Sequence, residues 1–155
     1  MKKKQIVRLV LTCTTVLLTL WIFSNSLQVA EVSATRSDTV AHAINTALAS
    51  HGLRQRVSDF FVRKSAHFSE YTLLGTLLLC TLRSYTPKLR RCYGGTAALG
   101  CLVAACDESL QLFVSGRSGQ LRDVLLDTGG VLFGALLALL VLCLILFFMK
   151  RRIQT

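Results

Sequence analysis

This sequence predicts an all-α membrane protein: four transmembrane helices in a small bundle, both termini cytoplasmic, one domain over residues 1–155. Three observations predict it. The chain is 52% hydrophobic with a mean hydropathy of +0.53, too apolar for an ordinary soluble domain of this length. Four apolar runs stand between polar stretches. The cations sit at the ends of those runs and divide unequally between the two sides.

The first run, residues 6–23, follows the basic start Lys2-Lys3-Lys4 and carries only Arg8 near its beginning. About 18 residues at 1.5 Å each cross a hydrocarbon core of about 30 Å. A cleavable signal peptide is the rival reading, with Val32-Ser33-Ala34 as the cut site. That site lies about ten residues beyond the run, too far for such a peptide. Residues 24–62 form a polar connection. Ser37-Asp38 is placed to cap a short helix bearing Val40, Ile44, Ala47 and Leu48 on one face, which Gly52 ends. A second amphipathic piece carries Leu53, Val57, Phe60 and Phe61. Both pieces suit the membrane surface or the outer mouth of the bundle.

The second span, 66–83, reaches spanning length only if His67 and Glu70 enter it near its outer end. A basic loop with the chain's one proline, Pro87, leads to the third span, 92–113. The turn Ser115-Gly116-Arg117-Ser118-Gly119 precedes the fourth, 124–149, which Lys150-Arg151-Arg152 closes. With both ends inside, the cytoplasmic segments hold eleven cations (Lys2, Lys3, Lys4, Arg8, Arg83, Lys88, Arg90, Arg91, Lys150, Arg151 and Arg152) and no acid. The other seven cations and all eight acids fall outside or in the outer half of the spans. The positive-inside rule therefore supports this topology. The net charge of +10 follows the same topology and gives no basic face for nucleic acid. The six cysteines form no Cys-x-x-Cys pair, so neither a zinc site nor a disulfide framework is indicated, and they read as small buried hydrophobes.

Acids inside apolar segments are expensive and mark functional sites by default. His67 and Glu70 sit one to two turns into the second span. Asp107 and Glu108 lie roughly 10 Å below the outer end of the third, and Asp127 one turn into the fourth. Arg63, His67, Glu70 and Leu74 share one helical stripe. Asp107 and Gln111 share another, and Asp123, Asp127, Gly130 and Gly134 a third. The two glycines are a small-xxx-small pair that lets a neighbouring helix approach closely. The expectation is an acidic interior at one depth, met from the outer rim by Arg63, Lys64, His67, Arg117 and Arg122. Structural glue between marginal spans is the plainer alternative. His67, Glu70, Asp107 and Glu108 are the candidate catalytic residues. A metal on those four is disfavoured, because His-Glu-x-x-His is absent and further histidines are missing. The Gly-x-Ser-x-Gly turn of serine hydrolases is absent too. An anion site is better supported: Arg117 and Arg122 offer forked donors, and the Gly-rich turn exposes backbone N–H groups. No cofactor is expected, and nothing fixes an oligomeric state.

The segment Arg63-Lys64-Ser65-Ala66-His67-Phe68-Ser69-Glu70-Tyr71, with Gly75, resembles the first signature of the VanZ-like family of bacterial membrane proteins. Asp107-Glu108-x-x-Gln111-x-Phe113-x-x-Gly116-Arg117 resembles the second, and Asp123-Val124 with Asp127-Thr128-x-Gly130 and Gly134 its continuation. Phe23-Ser24-Asn25 is similar to a weaker element. Asp127 stands where the family often has Asn. The resemblance adds Tyr71 to the candidate ligand-binding set of Arg63, Lys64, Gln111, Arg117, Asp123 and Asp127. It implies a multi-pass protein of the bacterial plasma membrane, associated with low-level resistance to the glycopeptide teicoplanin. Its partner would be a membrane lipid or lipid-linked envelope molecule. Three functions follow. One is an outward pocket that binds or modifies an amphiphilic or lipid-linked anion. Another is a non-catalytic scaffold or transporter subunit. The third is an enzyme on lipid phosphates, with His67 as acid/base and Arg117 on the oxyanion.

Overall fold

The structure is a computed structural model that describes residues 2–154, with side chains described through residue 152. It is all-α. Five helices follow one another: α1 (Lys3–Ser26), α2 (Ala30–Ser50), α3 (Asp59–Tyr85), α4 (Leu89–Gln111) and α5 (Leu121–Gln154), with no strand among the described residues. α3 is the central helix and touches each of the other four. Its inward face supplies Tyr71, Leu74 and Leu78, which pack with Ile22 of α1, Ala104 of α4 and Val131 of α5.

The tightest seam joins α3 to α5, and small residues make it possible. A Cβ on Gly75 would overlap the Val131 carbonyl, and one on Gly134 would overlap the Thr72 carbonyl. Gly130 meets Phe68 in the same way. The bare backbones come close enough for Thr76 Oγ1 to donate across the seam to the Gly134 carbonyl at 3.0 Å. Gly130 and Gly134 thus do what their spacing predicted, and α3 is the helix they admit.

α1, and α5 over Leu121–Arg152, are long and apolar enough to cross a membrane. α1 is 24 residues, about 36 Å at 1.5 Å per residue. Their outer faces leave Leu17, Trp21, Leu140 and Phe148 half-exposed or more. Apolar surface on that scale belongs against lipid, and it is the surface of a membrane protein. α3, of 27 residues, and α4, of 23, carry charges along their length: Arg63, Lys64, Glu70 and Arg83 on one, Arg90, Arg91, Asp107 and Glu108 on the other.

The connections differ from their sequence-based outlines. Ser37-Asp38 caps nothing, because α2 already begins at Ala30. Its hydroxyls turn back onto their own helix instead, Thr35 to the Glu31 carbonyl at 2.9 Å and Ser37 to the Ser33 carbonyl at 3.0 Å. α2 packs on α3. It ends where expected, with Gly52 at φ 75° just beyond. The second amphipathic piece does not exist as a helix. Residues 53–58 are extended connector, pinned to α2 by Asn45, which accepts from the Val57 N–H at 2.7 Å and donates to its carbonyl at 2.9 Å. Phe60 and Phe61 belong to α3, whose start is fixed by the Ser58 hydroxyl accepting from the Phe61 N–H at 3.2 Å. That cap starts the helix expected as the second span seven residues early. The helix expected as the third begins at Leu89 and stops at Gln111, leaving Leu112 and Phe113 in the turn, while those expected as the first and fourth extend to Lys3–Ser26 and Leu121–Gln154. The cysteines also differ. Only Cys92 is buried, and the other five lie on the outer faces of their helices.

Candidate functional site

At the end of the bundle covered by α2, three helices bring polar side chains together. α3 enters there with its first turns, α4 leaves there, and α5 starts there after the turn of residues 112–120. Between them lies a cavity of about 530 Å³. Eight of the candidate residues line it: Arg63, Lys64 and His67 from α3, Glu108 and Gln111 from α4, Arg117 from the turn, and Asp123 and Asp127 from α5. Arg122 reaches it as well.

Each wall is fixed locally. Asp123 forms an ion pair with Lys64, which joins the second turn of α3 to the first turn of α5. Lys64 Nζ also sits over the Phe60 ring, 5.5 Å from its centroid. Glu108 Oε2 accepts the backbone N–H of Gln120 at 2.9 Å, which ties the turn back to α4. Gly116, at φ 77°, lets that turn reverse, and the N–H of Arg117 closes it onto the Val114 carbonyl at 3.2 Å. The Arg117 side chain is half-buried above Asp107 and Glu108 but closes no hydrogen bond or ion pair among the described residues. Burial, and then the neighbouring Arg63 guanidinium, push its pKa below the ordinary arginine value. Two like charges are therefore held together at the rim, an arrangement that an anion relieves.

Under the cavity the polar residues are sealed in. Asp107 is fully buried and Asp127 is 1% exposed. Ser26 of α1 donates to Asp107 Oδ2 at 2.7 Å, and Gln111 Nε2 reaches the same oxygen at 3.4 Å. The i, i+4 spacing of Asp107 and Gln111 thus makes the contact it implied. His67 Nδ1 stands 3.9 Å from Asp127 Oδ2, a charge-range distance too long for a hydrogen bond. Both Asp127 oxygens, Asp107 Oδ1 and the Tyr71 hydroxyl lack a hydrogen-bond partner. Tyr71 is fully buried beside Asp107 and Asp127, and its hydroxyl is near enough to interact with the Asp107 carboxylate although no regular hydrogen bond forms.

Glu70 stands apart from the other acids. It faces α1, where Asn25 Nδ2 donates to its Oε1 at 3.3 Å, and it does not line the cavity. The metal set weighed from the sequence, His67 with Glu70, Asp107 and Glu108, is accordingly not the set that converges. His67, Asp107 and Asp127 converge instead. Sequence reasoning also missed Ser26. Its signal was the polar triplet Ser24-Asn25-Ser26 closing an apolar run, of which Asn25 bonds half-buried Glu70 and Ser26 bonds buried Asp107.

No curated protein matches the chain, and no solved structure does. The VanZ/LLP1 family profile matches residues 10–150, which takes in the cavity walls and reaches into all five helices. The chain therefore belongs to the VanZ/LLP1 family.

Proposed function

We propose that this cell-envelope protein is a multi-pass plasma-membrane protein whose cavity opens outward and binds or modifies an anionic group of an amphiphilic or lipid-linked molecule. In this reading α1, α3, α4 and α5 span the membrane, both termini are cytoplasmic, and α2 covers the outer mouth. The cation distribution supports that orientation, because the end of the bundle away from the cavity carries Arg8, Arg83, Lys88, Arg90 and Arg91 and no acid. The observation that carries the ligand class is the cavity rim. Arg63 and Arg117 are partly buried, face one space and close no ion pair among the described residues, so an anionic group finds two forked donors waiting. His67, in the wall, supplies an acid/base group if the bound molecule is also altered. Binding or altering such an envelope molecule would lower susceptibility to glycopeptides such as teicoplanin.

The buried hydroxyl contacts favour a second reading. Ser26 to Asp107 and Thr15 to Thr81, at 2.7 and 2.9 Å, are helix–helix ties that a scaffold or transporter subunit would use. Lipid extracts from cells with the protein, without it, and with Arg117→Ala separate the two. The anion reading predicts that one class of anionic lipid-linked species changes on deletion and that Arg117→Ala reproduces the change at normal membrane levels. Unchanged lipids, with Arg117→Ala silent, favour the scaffold.

A further inference from the structure

The cavity accounts for the basic rim but not for what lies beneath it. Asp127 is a carboxylate at 1% exposure with neither oxygen hydrogen-bonded. A buried carboxylate without donors is costly unless it takes up a proton or a cation compensates it. The nearest basic side chain is His67, whose Nδ1 is 3.9 Å away and carries charge only when the ring is protonated. Asp107 adds a second buried carboxylate, and because Ser26 and Gln111 both donate to its Oδ2, Oδ1 is left over. One donor atom each from His67, Asp107 and Asp127 lie within 4.8 Å of one another. Donors on one ion at about 2.1 Å stand about 3.0–3.4 Å apart at tetrahedral or right angles, so side-chain shifts of about an ångström or more close the set.

We propose that His67, Asp107 and Asp127 bind a divalent transition-metal cation beneath the cavity. One imidazole nitrogen among carboxylate oxygens suits manganese or zinc better than magnesium or calcium, which prefer oxygen alone. The three donors come from α3, α4 and α5, so the ion joins the three helices that form the cavity. The Tyr71 hydroxyl, sealed in beside Asp107, is a further oxygen at the site. Lys64, Arg63 and Arg117 would repel the ion, but Lys64 is neutralised by Asp123, and Glu108 adds negative charge from α4. An ion here leaves its open face toward the cavity, because His67 and Asp127 line it. Metal below and arginines above would then grip one anionic group from two sides.

The site needs no lipid or anion, so its test stands apart from that of the anion reading. The full-length protein in detergent is stripped with chelator, exchanged into chloride buffer and titrated with Mn²⁺ alone, following loss of the free-ion paramagnetic resonance. Manganese avoids zinc's affinity for the five exposed thiols. The expected result is one ion per chain, a melting temperature that rises with Mn²⁺, and affinity at least tenfold weaker in Asp127→Asn and in His67→Gln. Glu31→Gln, an exposed acid at the same end, keeps the wild-type affinity. If Asp127→Asn fails to fold, His67→Gln decides. The absence of stoichiometric uptake overturns the proposal, as does uptake that His67→Gln leaves unchanged or that Glu31→Gln weakens equally.

Discussion

The α3–α5 seam makes a prediction in which one methyl group decides the sign. Gly129 and Gly134 lie in the same helix, five residues apart. A Cβ on Gly129 meets nothing within 4 Å, whereas one on Gly134 would overlap the Thr72 carbonyl. Alanine in place of a helical glycine gains up to about 1 kcal/mol from backbone propensity alone, at both sites. At Gly134 the added carbon meets backbone, which no rotamer change can move. Overpacking costs about 1–3 kcal/mol. Spreading the helices also breaks the 3.0 Å bond from Thr76 to the Gly134 carbonyl, for about 1 kcal/mol more. The net for Gly134→Ala is a loss of roughly 1–3 kcal/mol, taking the propensity gain into account. At about 2–4 °C per kcal/mol for a chain of this size, its melting temperature falls by several degrees while that of Gly129→Ala rises by a few. Thermal unfolding of both variants in one detergent measures the difference. A Gly134→Ala protein as stable as wild type would refute the close backbone contact, and with it the register that sets Asp127 beside His67.

Four further outcomes follow from named contacts. Ser26→Ala removes a donor from buried Asp107 and destabilises the fold by about 1.5–3 kcal/mol, read as a lower melting temperature; no change would mean that α1 is not tied to α4 there. Asn45→Ala frees both backbone groups of Val57, so limited proteolysis should cut within residues 53–58 faster than in wild type, with the bundle otherwise intact. Glu108→Gln keeps an oxygen for the Gln120 N–H and leaves the protein at wild-type membrane levels, whereas Glu108→Leu abolishes that bond and loosens the turn, visible as faster proteolysis at residues 112–120. In the lipid assay, Arg117→Lys should lose nearly as much function as Arg117→Ala, because the ammonium keeps the charge and loses the fork; full function with Lys would reduce the rim to a point charge.

The sequence carried the helical class, the end at which the acids meet and most of the cavity lining, because period and spacing are local properties. Asp107 and Gln111 bond as i, i+4 neighbours, and Gly130 and Gly134 open the face that α3 enters. What it did not carry is the choice among neighbours on one helix. Glu70 lies on the stripe of Arg63 and His67, yet it turns to Asn25 because α1 packs on that side. The extent of α2 was hidden for a related reason. Ser37 looks like a cap in sequence, but its hydroxyl, like those of Thr35 and Thr39, bonds the carbonyl four residues back, a preference that shows only once the helix exists. Cysteine exposure was misjudged because "inside" was read as protein interior, whereas an apolar helix in this fold has an outer face that needs no protein cover.

In the proposed orientation the cavity opens to the outside of the membrane. Cysteine accessibility tests it most directly. In a background with the six native cysteines replaced, Ser118→Cys places a thiol on an exposed turn residue at the cavity mouth, and Thr86→Cys places one in the short loop at the opposite end. A membrane-impermeant maleimide applied to intact cells should label Ser118→Cys, and should label Thr86→Cys only after the membrane is opened. Labelling of Thr86→Cys in intact cells, with Ser118→Cys protected, would contradict the account by turning the cavity to the cytoplasm.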